Sequence, residues 1–348
     1  MNKFFLLMLF LLFINCSSGN GVFFENLSFQ KALEKAQKIN KPIMVDVFSG
    51  GWGGCLELDR VVFQDEIVGT FINKHFLNLR LNVKTNDGKN LKKNYHVIGF
   101  PTVLFLTSQG KEIDRICGFD GNKDNYMKII QNYADGRNTI NDLLEKYNKD
   151  TLNIDANFRL AKKYIDRWES AKAEKYFNVV LKLDPEDNYG FREESELQIA
   201  IYKAQYSDKK DVRSLITFLN KSKNEEYLDL GYHHLIRFYM NEKDTIQYFK
   251  TLEEALKKIK DNPDLLNEYA WSIFTCKLQD KYKYGIELAE RAVQLKPEAA
   301  DIWDTLAWLY LVDGNNQKAI SAMNKAVEIN SKFNERLEKL TAEINKKI

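Results

Sequence analysis

Apolar residues follow two different rhythms along this chain, and the rhythm changes near residue 138. Before that point they come in short runs bounded by turn residues: Ile43-Met44-Val45 ahead of Asp46, Val103 to Leu106, and Glu112 to Cys117 ending at Gly118. Runs of this length read as strands, and Ser108-Gln109-Gly110-Lys111 reads as the turn joining the last two. After residue 138 the strand-like runs stop. Only Pro185, Pro263 and Pro297 interrupt, and apolar residues recur at helical spacing. Helices are predicted over Glu193 to Gln205, Tyr227 to Met240 and Thr245 to Ile259. At the N-terminus Met1-Asn2-Lys3 precedes an unbroken apolar run from Phe4 to Ile14, the order of a secretory signal. That run is shorter than the roughly 20 residues a membrane-spanning helix needs.

The first regime contains a more specific pattern. Lys41 to Cys55 reads K-P-I-M-V-D-V-F-S-G-G-W-G-G-C, with Asp59 and Phe63 downstream. This resembles the strand and active-site turn of bacterial thioredoxin-like proteins, which often read K-P, three hydrophobic residues, Asp, two aromatics, A-x-W-C-x-x-C, then Asp four and Phe eight residues after the second Cys. In the ungapped register that both flanks support, Cys55 stands at the second cysteine, Trp52 at the first and Gly51 at the usual Trp. Ile98-Gly99-Phe100-Pro101-Thr102 resembles the family loop whose proline is cis and packs against the cysteine turn. The resemblance covers roughly residues 22 to 135. It implies an α/β thioredoxin-like fold, a central mixed sheet flanked by helices, over residues 22–137.

The same resemblance puts the activity in question. Disulfide exchange begins when a thiolate attacks a disulfide sulfur, and a second thiol resolves the mixed disulfide. In this family the exposed first cysteine attacks from a helix N-terminus that lowers its pKa, and Trp52 has no thiol. The resolving half is retained as Cys55 with Asp46, the residue on the preceding strand through which the family's second cysteine is thought to lose its proton. Each has a plainer reading: Cys55 as a small buried hydrophobe, Asp46 as a strand-end carboxylate, Trp52 as a plug or as an aromatic contact for a partner together with Phe100 and Pro101. Of the other cysteines, Cys117 ends a strand that approaches the active-site turn in the family, so pairing with Cys55 is left open; Cys276 in Trp271-Ser272-Ile273-Phe274-Thr275-Cys276 reads as helix packing. Cys16 closes Leu12-Phe13-Ile14-Asn15-Cys16, which resembles a bacterial lipobox, departing from it at Phe13 and Asn15. Residues 1–21 are therefore expected to be a lipoprotein-type signal and tether, and the mature chain to lie on the periplasmic side of a bacterial cell envelope, where disulfides persist.

The second regime, residues 138–348, resembles tetratricopeptide repeats, helix pairs of about 34 residues with large and small residues at fixed positions. From Ala300 the pattern gives Trp303, Leu306, Ala307, Tyr310, Ala319, Met323 and Ala326. The preceding unit supplies Tyr269, Ala270, Gly285, Ala289, Ala292 and Pro297, with about three extra residues between its helices. An earlier one fits Leu160, Ala161, Tyr164, Ala173, Phe177 and Pro185, and residues 188 to 262 read as degenerate repeats. The resemblance implies an all-α TPR-like helical solenoid offering a surface to other proteins. The aromatics Trp303, Trp308 and Tyr310 are expected in its core.

Charge narrows the function. With 51 Lys+Arg, 49 Asp+Glu and four scattered His, the chain has neither a basic footprint for nucleic acid nor metal-ligand spacing, and no cofactor motif. Two functions stand: an interaction protein that holds extended peptide at the Pro101 loop beside a helical platform, and a thiol-disulfide oxidoreductase or redox-homeostasis protein acting through Cys55 alone or with Cys117. The apolar run ending at Cys16 also makes a prediction. Acyl chains contribute about 0.8 kcal/mol per buried methylene, and stable anchoring takes more than one. Cys16→Ser is expected to abolish acyl labelling and release the protein from the membrane fraction; a wild-type chain without acyl label would exclude the lipobox reading.

Overall fold

The computed structural model describes residues 21–346, so the apolar run and Cys16 lie outside the described residues. Helix α1 (Phe29–Ile39) starts at Ser28, whose hydroxyl accepts from the Lys31 N–H, and stops at Asn40, whose left-handed backbone returns its N–H to Ala36 and Gln37. Pro42 then leads into β1 (Ile43–Phe48), followed by α2 (Gly53–Leu58), a π-helical turn Asp59–Phe63, α3 (Glu66–His75), β2 (Leu77–Asn82), α4 (Asn86–Asn94), β3 (Thr102–Leu106), β4 (Glu112–Cys117) and α5 (Lys123–Ala134). The sheet order is β2-β1-β3-β4, with β1 parallel to β2 and antiparallel to β3. This is the expected mixed sheet flanked by helices.

Side chains of a strand alternate between faces, and the core divides accordingly. Ile43, Val45, Val47, Leu79, Leu104 and Leu106 pack with Ala32, Ala36 and Leu91 on one face. Met44, Val103, Phe105 and Ile116 pack with Leu58, Val62, Ile72 and Ile130 on the other. Asp46, two residues after Met44, therefore points into this second core, beneath α2.

The helical region continues with α6 (Ile140–Lys149), α7 (Ile154–Asp166), α8 (Ser170–Leu183), α9 (Arg192–Gln205), α10 (Arg213–Lys221), α11 (Glu225–Asn241), α12 (Thr245–Lys258), α13 (Pro263–Thr275), α14 (Tyr282–Leu295), α15 (Ala300–Val312), α16 (Asn316–Ile329) and α17 (Asn334–Asn345). The extra residues between α13 and α14 form a single 3-10 turn, Gln279–Lys281. Small residues sit where helices approach: Ala307, Ala319 and Ala326 are fully buried. Tyr310 is buried as expected, whereas Trp303 and Trp308 are half-buried, with Trp308 and Trp271 stacked under the Arg336 guanidinium at 5.5 and 5.4 Å. Cys276 is not packed: it is exposed at the C-cap of α13, one step past the apolar face of its helix.

Contacts divide the chain between Leu183 and Asp184, so the expected boundary at 137 falls inside the first unit. The reason is a buried charge cluster. Asp114 on β4 is fully buried, and its carboxylate accepts from the Arg115 N–H (2.8 Å), the Ile140 N–H at the start of α6 (2.8 Å) and Arg167 at the end of α7 (2.6 Å), with Lys163 Nζ at 3.2 Å. Arg167 also meets Glu112 and Glu169, each at 2.9 Å. Burial alone would raise the Glu112 carboxyl, but Arg115 and Arg167 outweigh it and hold it below the usual range. Removing one partner of a buried ion pair strands the other charge, at a cost of about 3–5 kcal/mol. Arg167→Ala is expected to lower the unfolding free energy by about that amount, and residues 21–183 are expected to resist urea better than residues 21–137. Equal midpoints in both comparisons would show that the cluster contributes no stability.

Candidate functional site at the Trp52 turn

The chain leaves β1 at Phe48 and turns through Gly51, whose φ of +85° favours glycine, to Trp52 at the N-cap of α2. Trp52 donates its N–H to Ser49, and its carbonyl accepts from Cys55 and Leu56. Its side chain is 60% exposed. Cys55, one turn into the helix, is 5% exposed. Burial raises its thiol pKa and the Asp46 charge adds to this, against a backbone hydrogen bond at Ser49 and the Arg80 charge. The N-cap of α2 thus carries an exposed indole, and the Cys55 thiol is covered, with burial raising its pKa.

Asp46 lies beneath this turn with Arg80 opposite it on β2. Arg80 Nε is 3.0 Å from Asp46 Oδ2, and its Nη1 donates to Asp59 Oδ1 at 2.8 Å. The guanidinium stacks 4.7 Å over Phe48 and 5.6 Å from Phe24. Burial pushes the Asp46 carboxyl up to about 7; Arg80 opposes this and Asp59 reinforces it. Asp46 Oδ1 has no hydrogen-bond partner among the described groups. Arg80 is the residue that sequence reasoning missed. Its signal was present in Leu77-Asn78-Leu79-Arg80-Leu81-Asn82, where one charge interrupts an alternating strand, but only strand pairing shows which carboxylate it meets.

The loop before β3 completes the edge. The Phe100–Pro101 peptide is cis. A Cβ built on Gly54 would lie 3.4 Å from Pro101 Cδ and 3.7 Å from the Trp52 ring, so the glycine turn and the proline are in close approach. Pro101 O accepts from the Gly118 N–H (2.9 Å), and Thr102 Oγ1 donates to Gly99 O (2.8 Å). Phe100 is half-buried beneath Lys92 Nζ, 5.4 Å from its ring. Cys117 sits opposite Thr102 in the β3–β4 register, its sulfur 3.9 Å from Oγ1; burial pushes its thiol up to about 11. Cys55 and Cys117 are both free thiols. No group of three metal-ligating side chains occurs among the described residues.

The raised Asp46 pKa has a sign that can be measured. Its folded value lies above the unfolded 3.8, so the folded chain binds the extra proton and stability falls as pH rises from about 4 through about 7. Asp46→Asn removes that dependence, and its stability relative to wild type is expected to be greater at pH 8 than at pH 5 in urea titrations. Unchanged relative stability across this range would place the titration elsewhere.

Comparison with known proteins bears on both regions. A family model described as a thioredoxin-like domain matches residues 29–134, and one described as ChAPs (Chs5p-Arf1p-binding proteins) matches residues 206–345. The thiol:disulfide interchange protein DsbD of Yersinia pestis (strain Pestoides F) is 35% identical over 88 residues, 24% of this chain and 15% of that protein; the chain thus spans a small part of this relative. The solution structure of a disulphide-isomerase candidate from Bacteroides thetaiotaomicron is 33% identical, covering 34% of this chain and 96% of that one, TM-score 0.31. YrrB, a TPR protein with an unusual peptide-binding site, is 12% identical, covering 56% of this chain and 94% of that one, TM-score 0.40. Through residues 29–134 this chain belongs to the thioredoxin-like family, and its C-terminal helical region is TPR-like.

Proposed function

We propose that this protein holds extended segments of other proteins at the edge formed by Trp52, Phe100 and Pro101, with the TPR-like helices as a second protein-binding platform, and that it does so on the periplasmic side of a bacterial envelope, tethered through Cys16. The observation that carries the reading is the exposed indole of Trp52 at the N-cap of α2. A thioredoxin-like edge that keeps its proline loop and loses its attacking thiol retains the means to bind a chain without the means to reduce it. Backbone groups beside such a loop pair with an extended segment in the manner of strand addition, and an exposed aromatic supplies contact area at low entropic cost.

A second reading has its own support. Asp46, titrating near neutral pH, lies close enough to raise the Cys55 thiol, and the domain is related to disulfide oxidoreductases. On that reading Cys55 acts alone or with Cys117 in thiol-disulfide chemistry.

Insulin reduction separates the two. The wild type is expected to reduce insulin at no more than background rate, because Cys55 is covered and has no resolving partner. Trp52→Cys recreates a C-G-G-C dithiol at a helix N-terminus, where thiolate is favoured, and activity is expected to appear. Wild-type activity that Cys55→Ser or Cys117→Ser abolishes would overturn the binding reading in favour of an enzyme.

A further inference from the structure

The turn between α7 and α8, in the region whose sequence reads as helical repeat, lies against the proline loop. Arg167 follows α7 and is fixed by Asp114, Glu112 and Glu169. The next residue, Trp168, adopts φ +59°, an uncommon conformation for a bulky side chain. It is held there by its own N–H to Ile165 O and by the Glu169 N–H to Tyr164 O, both 2.8 Å. The indole lies over two glycines. A Cβ on Gly99 would collide with Trp168 Cζ3, and one on Gly118 would lie 3.2 Å from Cζ2.

Those glycines flank the proline. Gly99 is two residues before Pro101, and Gly118 donates its N–H to Pro101 O. On the far side Gly54 faces both Pro101 and the Trp52 ring. Contacts therefore link Trp168 through Gly99 and the buried Pro101 to Gly54 and Trp52, with an indole at each end. Trp168 is 38% exposed, and Ile98, beside Gly99, is 67% exposed. Lys92, over Phe100, has no carboxylate within ion-pairing distance among the described residues, whereas Lys172 near Trp168 is paired with Glu169. The edge thus offers two indoles and one uncompensated cation.

We propose that Trp168 is a contact residue for the extended protein segment assigned to this edge under the binding reading, on which this inference rests. The segment lies beside the proline loop, along the exposed Ile98 and between the two indoles, sets an apolar side chain on Trp168 and directs an acidic residue to Lys92. The glycines let the Trp168 indole seat closely on the loop, the rigid indoles supply buried area, and the cation selects charge. The first helical pair is then part of the binding site, and the Asp114–Arg167 cluster fixes the distance between its walls.

The test uses the full chain and fluorescein-labelled insulin B chain in two forms, carboxymethylated and carbamidomethylated at its cysteines, with binding read by anisotropy. The two forms share their apolar residues and differ in negative charge. The wild type is expected to bind the carboxymethylated form more tightly. Trp168→Ala is expected to weaken it about tenfold, a typical loss for an aromatic anchor, with Trp168→Phe within about threefold of wild type. Lys92→Gln is expected to erase the preference between the two forms. A benzophenone-bearing B chain is expected to cross-link to residues 165–171 of the wild type, a readout that does not depend on any variant folding. If wild type binds and Trp52→Ala weakens it, but Trp168→Ala does not and cross-links avoid residues 165–171, the inference falls and the binding reading stands. If neither form binds wild type, both fall.

Discussion

A single buried carboxylate, Asp114, ties α6 and α7 to the sheet. An ionised group taken out of water is tolerated only when fully paired, and this one has four donors from four places in the chain: the adjacent amide, the first amide of α6, Lys163 and Arg167. Satisfying it requires α6 and α7 to lie where they do against β4. Lys163 donates onward to the Tyr133 hydroxyl of α5, joining a third element. Residues 21–183, which a sequence reading divides at 137, form one packed unit.

The two buried aspartates of this unit show how differently one side chain can be used. Asp114 is surrounded by donors and is structural. Asp46 has one oxygen on Arg80 and one unpartnered, and burial lifts its pKa to about 7. In the low-dielectric interior a partly satisfied carboxylate costs stability, and here it stands under the turn that carries Cys55. Arg80, stacked on two phenylalanines and shared with Asp59, limits that cost without removing it.

Trp52 at the N-cap of α2 shapes the turn through geometry as much as through the absence of a thiol. A thiol at the N-cap of α2 would be exposed and favoured as thiolate; an indole there is exposed and inert. The glycines on both sides keep the turn open enough for Pro101 to approach. With Cys117 half-buried on the other side of that loop and its thiol also raised, no described thiol of this edge has the environment of an attacking nucleophile.

The sequence by itself determined the local structure. Strand-length apolar runs and turn residues placed the strands and helical spacing placed the helices, because each rests on periodicity or on spacing within a few residues; the resemblance carried by Asp59, Phe63 and Phe100-Pro101 implied the thioredoxin-like arrangement and the cis bond, and that carried by Ala307, Ala319 and Ala326 the helix pairs. Tertiary structure alone decided the partners. That Arg80 meets Asp46, that Arg167 meets Asp114 53 residues away, and that Trp168 covers Gly99 follow from strand register and helix docking, which bring together positions with no fixed separation in the chain. Cys276 and Trp303 carry the same lesson in reverse: a helical pattern shows that a residue is in a helix, but how deeply it is covered depends on what the next helix brings against it.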